Sequence, residues 1–337
     1  MTPVELAQAS NAAVYAAMVT LALAMISFAL SFSARSATRA AQRDSAREPV
    51  LVGSGAPGAG GITDTPSEPP NRVGTADDDR AGAESAPGRR AANLGMAFTW
   101  LGALLLLAGV VLRGVWAGRV PWGNMYEFSI TSALGVLVVF LAVSTRRDLR
   151  WLGLFIVTPV LLSLGLAVTV LYTESAQLVP ALKSWWLVIH VLAAIICAGA
   201  FTFAAATAAL SLLRSRAERR HPGQDVSGVL AKVPPADRLQ RLTYRTLAFA
   251  FPLWTFAVVA GAIWAENAWG RYWGWDPKET WAFITWVIYA AYLHARSTVG
   301  WRGDRASVIA ILGWVAFLVN YFGVNIFVNS LHSYAGT

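Results

Sequence analysis

Cysteine is almost absent. Cys197 stands alone among 337 residues, so neither an internal disulfide nor a CxxC redox pair can form. It falls inside an apolar run and reads as a small core residue. Charge is also scarce, at 14% of residues, where soluble domains carry about 25%. The uncharged stretches are long, and little chain is left for a large soluble catalytic domain. Histidine occurs four times, at 190, 221, 294 and 332. No residue reads as a covalent catalyst. The N-terminus lacks the basic segment of a cleavable signal, because Glu5 is its only charge before the first apolar run, which predicts a retained helix.

What fills the chain is apolar: 56% of residues are hydrophobic. A helix crossing the hydrocarbon core needs about 20 apolar residues. Eight runs qualify: 12–32, 94–112, 125–143, 151–171, 185–213, 246–264, 280–295 and 306–328. Runs of this length predict helices, since barrel strands alternate over about 10 residues and backbone in lipid must satisfy itself. The expected fold is an all-α integral membrane bundle of about eight helices. The formal charge of +8 invites a nucleic-acid reading, but its distribution argues against one. Of 27 Lys and Arg, 22 fall in the gaps 34–93, 146–150, 214–245 and 296–305. The positive-inside rule puts those gaps in the cytoplasm and both termini outside, with anionic-lipid contact as a minor role.

The predicted organisation is a first transmembrane helix at 1–33, a linker at 34–93, and a seven-helix domain at 94–337 with a cytoplasmic loop at 214–245. GSGAPGAGG, SEPP and ADDDR in the linker carry too little apolar surface to fold, so disorder is expected there. No internal repeat is evident.

One outer gap, between the sixth and seventh runs, is different. It reads ENAWGRYWGWDPKE. Trp269, Trp273, Trp275 and Trp281 crowd together with Tyr272. Tryptophan favours the headgroup level, so an interfacial aromatic belt is the competing reading. Gly270 and Gly274 between the rings let the backbone approach a flat partner. Asp276, Pro277 and Glu279 form a helix-start signature with a capping-box acid. A belt needs no such construction, whereas a large planar apolar ligand needs an aromatic platform.

The run from 269 to 296, WGRYWGWDPKETWAFITWVIYAAYLHAR, resembles the WWD haem-handling signature of the CcsA (ResC)-type subunit of system II cytochrome c biogenesis. NMYEF at 124–128 and LHSYAG near the C-terminus resemble further family segments. The similarity covers roughly 113 to the C-terminus. It implies haem b as substrate, carried to the outer face and attached to CxxCH apocytochromes c with a ResB-type membrane partner and thiol reductases. It also implies a multi-pass protein of the bacterial plasma membrane, or of the thylakoid in plastids, and no catalytic residue of its own. Trp269, Gly270, Tyr272, Trp273, Trp275 and Asp276 would contact the porphyrin. Arg271 and Lys278, two of five basic residues in the outer gaps, are candidates for its propionates, with ordinary surface charge as the alternative.

Imidazole is a common axial ligand of haem iron. By resemblance, His190 and His332 would hold the outer haem, and bis-imidazole ligation would help keep its iron reduced. His294 lies 13 residues after Trp281, about 20 Å deeper along a helix at 1.5 Å per residue. An ionisable residue at such depth is a functional candidate, and the resemblance makes it an intramembrane haem ligand whose opposite ligand comes from the partner. His221 receives no role. Other readings are a haem transporter or relay without ligation activity, a membrane carrier for another solute, and a structural subunit.

Overall fold

The computed structural model describes residues 1–45, 86–174, 183–220, 222, 226, 228–298, 300–301, 303–328 and 330–331. Among them there are helices and no strands. In chain order these are α1 (Pro3–Ser45), α2 (Ala86–Ala117), α3 (Met125–Ser144), α4 (Gly153–Thr169), α5 (Trp185–Arg220), α6 (Ala236–Trp269), α7 (Pro277–Ser297) and α8 (Asp304–Leu318). A π-helical turn, Val319–Gly323, prolongs α8 and leads into the short α9 (Val324–Phe327).

Each of the eight apolar runs lies on its own helix. Seven of those helices are long and apolar enough to cross a membrane, one fewer than expected. The exception is α7. Its apolar residues include Trp281, Trp286, Tyr289 and Tyr292, and Lys278, Glu279, His294 and Arg296 stand near its ends, so its hydropathy falls short. The helices also overrun their expected ends. α1 continues to Ser45, where Ala, Arg and Gln favour helix, and α2 begins at Ala86. The rest of the predicted linker, 46–85, lies outside the described residues.

α1 packs antiparallel along α2 through a seven-residue rhythm on both. A Cβ added at Gly95, Gly102 or Gly109 would lie 2.8, 2.8 or 2.9 Å from Phe28, Leu21 or Val14 respectively. The absent side chains let the backbones close up, which is how helices associate where lipid removes the hydrophobic driving force. Ser10 Oγ adds a hydrogen bond to the Gly109 carbonyl at 2.8 Å.

The other helices are stitched by polar contacts. Thr207 and Ser211 of α5 meet Thr243 of α6 and Ser307 of α8 at 2.9 and 2.7 Å. Trp254 Nε1 donates to the Ala282 carbonyl at 3.3 Å, and Trp286 Nε1 to Thr255 Oγ1 at 2.9 Å, joining α6 to α7. Cys197 is buried, as expected of a small core residue.

Gly102→Val is expected to force α1 from α2 and to cost about 1–3 kcal/mol through overpacking. Thermal aggregation of the detergent-purified protein measures it, and an unshifted midpoint would count against the close packing.

Candidate functional site

The starts of α3, α5 and α7 meet the ends of α6 and α8 around a cavity of about 1130 Å³, its open mouth included. Sites for small molecules are mostly apolar, with a few placed polar groups. Trp254, Trp264, Phe128 and Phe317 supply apolar wall; His190, Lys278, Asn320 and Asn325 are among its polar groups.

His190 is held on α5 in a defined state. Its Nδ1 lies 2.7 Å from the Ala257 carbonyl of α6. A carbonyl can only accept, so Nδ1 carries a proton, and in the neutral ring the lone pair is then on Nε2. That second-sphere bond is the one that orients metal-binding imidazoles. The ring lies nearly parallel to Trp264, at 17° and 6.3 Å between centroids. Gly261 creates the space: a Cβ there would stand 2.8 Å from Nδ1 and 2.9 Å from Cε1.

The tryptophan loop follows α6, which ends at Gly270 in a left-handed conformation, φ 70°, a common helix stop. The four tryptophans and Tyr272 do not form one flat platform. Tyr272 and Trp273 line the cavity. Trp269 packs edge-on against Trp264 at 4.9 Å between centroids. Trp275 is 66% exposed and meets Phe283 edge-on at 6.1 Å. Among the described residues it alone has a positive φ outside glycine, at 58°.

The strain at Trp275 is held from both sides. Glu279 Oε2 accepts the N–H of Gly274 at 2.8 Å and that of Asp276 at 3.1 Å, while Arg271 Nη1 donates to Glu279 Oε1 at 3.1 Å. Asp276 caps α7 as its sequence signature predicts: Oδ1 accepts the Lys278 N–H at 3.0 Å and completes a capping box with Glu279. Its other oxygen, Oδ2, accepts the N–H of Leu331 at 2.9 Å, so the C-terminal segment is fastened to the loop one residue before position 332.

His190, Tyr272, Trp273 and Lys278 are therefore brought to one cavity. Lys278 Nζ donates to Asn325 Oδ1 at 2.6 Å, and Arg271 is engaged by Glu279. His294 stands apart near the end of α7, exposed on the face that carries Phe283 and Val287. His332 and His221 lie outside the described residues. Sequence reasoning missed Gly261, Asn320 and Asn325. The signal was a glycine inside a helical pattern and amides in an otherwise apolar run.

A model of the family described as Cytochrome C assembly protein matches residues 122–332, a span that includes every wall of this cavity. The chain belongs to that family, as a CcsA-type cytochrome c biogenesis protein. The protein named Cytochrome c biogenesis protein CcsA of Prochlorococcus marinus is 37% identical over 255 residues, covering 68% of this chain and 80% of that one. Its namesake in Guillardia theta is 35% identical, covering 72% and 85%. The solved structure of Cytochrome c Heme Lyase CcmF matches with a TM-score of 0.58 at 17% identity, over 96% of this chain and 47% of that one. This chain thus has the fold of about half of that protein, without α1 and α2 falling in the family match.

Asp276→Ala removes both a helix cap, about 0.5–2 kcal/mol, and the bond to Leu331. Hydrogen exchange read by mass spectrometry is expected to speed up in peptides covering 274–280 and 328–331 together. Acceleration in the first alone would mean the tail is held by something else.

Proposed function

We propose that this CcsA-type protein binds haem in the cavity, with His190 as an axial ligand, and presents it beside the tryptophan loop for attachment to CxxCH apocytochromes. The observation that carries this reading is His190 itself. In the neutral form an imidazole with its proton fixed on Nδ1 carries a lone pair on Nε2, and this ring lines a cavity rich in aromatic and apolar side chains. Haem is large, flat and apolar apart from two propionates, and the cavity offers it aromatic faces and the Lys278 amino group, whose pKa burial lowers to about 7. The fit is supported by Gly261, which clears the imidazole's place.

His332 is the proposed second ligand. Support comes from Leu331, which ties the chain to Asp276 next to the cavity. His294 is proposed to hold a second haem deeper in the membrane, with the opposite ligand from a ResB-type subunit. Its exposure on one face of α7 with Phe283 and Val287 suits a site completed by another chain, because an ionisable group facing lipid is costly. The asymmetry of basic gaps places the cavity end outside the membrane in this reading.

Thioether formation adds the S–H of each apocytochrome cysteine across a haem vinyl group: carbon–sulfur and carbon–hydrogen bonds form, and no atom leaves. The substrate brings thiols and the haem brings vinyls. This chain's share is to hold the porphyrin still and exclude competing ligands, which is a positional contribution.

The test is the visible spectrum of protein purified with and without its partner. Wild type is expected to show low-spin, bis-imidazole haem. His190→Ala is expected to lose it. Gly261→Ala is expected to weaken it, through overpacking worth about 1–3 kcal/mol. Haem retained unchanged in a variant with His190, His294 and His332 all replaced by Ala defeats the ligand assignment. A solute carrier would show no haem in any variant, and a relay would bind haem without forming holocytochrome.

A further inference from the structure

The loop that opens α7 has a twin. Residues 119–127, RVPWGNMYE, lead from α2 into α3, and residues 271–279, RYWGWDPKE, lead from α6 into α7. Aligned without gaps, both begin with arginine, carry Asn or Asp at the sixth position and end on glutamate. Few residues match, and the likeness lies mainly in how those residues are used.

In each loop the amide or acid at the sixth position caps the helix. Asn124 Oδ1 accepts the Glu127 N–H at 2.9 Å, as Asp276 accepts from Lys278. In each, the glutamate folds back onto the loop: Glu127 Oε2 accepts the Gly123 N–H at 2.7 Å, as Glu279 Oε2 accepts from Gly274. The arginine eight residues earlier pairs with that glutamate: Arg119 Nη1 reaches Glu127 Oε2 at 2.7 Å, and Arg271 Nη1 reaches Glu279 Oε1 at 3.1 Å.

A glycine makes both pairs possible. A Cβ on Gly123 would stand 2.4 Å from Arg119 Nη2, and a Cβ on Gly274 would stand 1.9 Å from Arg271 Nη1. Each guanidinium lies against bare backbone. The first loop is sealed further, because fully buried Glu127 also accepts from Arg113 Nε at 3.1 Å, and the Arg113 guanidinium lies 4.6 Å from the Trp116 ring centroid.

The two loops face the same cavity. Phe128 and Ser132, in the first turns of α3, form wall beyond the first loop, and Tyr272, Trp273 and Lys278 form wall on the second. We infer that residues 119–127 are a second jaw of the haem cavity, with Arg119, Gly123 and Glu127 as positioning residues that set the α3 wall as Arg271, Gly274 and Glu279 set the tryptophan loop. The inference rests on the haem reading above and adds a part of the chain outside the tryptophan motif. None of these three residues touches the ligand. They fix where α3 begins and hence where Phe128 and Ser132 stand.

The experiment uses the full chain in detergent, titrated with iron protoporphyrin IX. Gly123→Ala should displace the flexible end of Arg119 rather than unfold the protein. Affinity is expected to fall about tenfold, the equivalent of one hydrogen bond to a charged group, and the spectrum to shift from low spin toward mixed spin. Yield and gel-filtration profile should stay unchanged. Gly274→Ala should act in the same direction. A merely structural role would lower yield and leave affinity and spin state of the folded fraction alone. Should Gly123→Ala not be recovered folded, Asn124→Ala, which removes one cap bond, carries the same expectation. Wild-type affinity and spectrum in the folded loop-one variant, with loss in Gly274→Ala, overturn the second jaw alone. No haem binding by wild type overturns the haem reading instead.

Discussion

The bond between His190 Nδ1 and the Ala257 carbonyl decides more of this molecule than its length suggests. It fixes a tautomer, joins α5 to α6 and sets the direction of the one histidine that lines the cavity among the described residues. The bond requires a helix carbonyl with spare accepting capacity and a missing side chain one turn on, at Gly261. In a low-dielectric setting such a contact is electrostatically stronger than it would be in water, and an unmade one more costly.

The same economy governs the two loops. Buried backbone outside helices needs partners for its N–H groups. Here two glutamates do that work by reaching back from the first turn of α3 and of α7 to the chain that precedes them. Arginine then pairs with each, two at Glu127 and one at Glu279. The more deeply buried pair, Glu127 with Arg113 and Arg119, is held by three side chains. The pair at Glu279 is half open, with Arg271 31% exposed. One side of the cavity is thereby locked in the core and the other sits at its rim, where the strained Trp275 turns its ring outward. CcsA-type proteins act in cytochrome c biogenesis.

α1 and α2 precede the family match at residue 122 yet pack tightly, through three glycines seven residues apart. Their contact is mainly one of shape, with the Ser10–Gly109 bond added, in contrast to the hydroxyl and indole bonds among α5, α6, α7 and α8. The bundle thus combines a dry, closely approached pair with a group of helices that surround polar contacts and an aromatic-lined cavity.

Much was legible in the sequence because its signals are local. Apolar runs fixed the helices, since length in hydrocarbon is counted residue by residue. Asp276, Pro277 and Glu279 announced the start of α7, since a cap is made within one turn. His190 was singled out through the family resemblance, and the structure places it on the cavity. The eighth span falls short because α7 mixes Trp and Tyr rings with Lys278, Glu279, His294 and Arg296, all of which lower its hydropathy. Tertiary structure alone decided the rest. Nothing in the spelling of residues 269–275 separates Trp273, on the cavity, from Trp275, turned away by a positive φ. Nothing local ties Leu331 to Asp276, 55 positions earlier, or sets the glycine at 261 beneath the imidazole at 190. Sequence by itself determined which segments are helical and where α7 begins, because those depend on neighbours in the chain. The site depends on neighbours in space, and only packing the helices together brought them within reach.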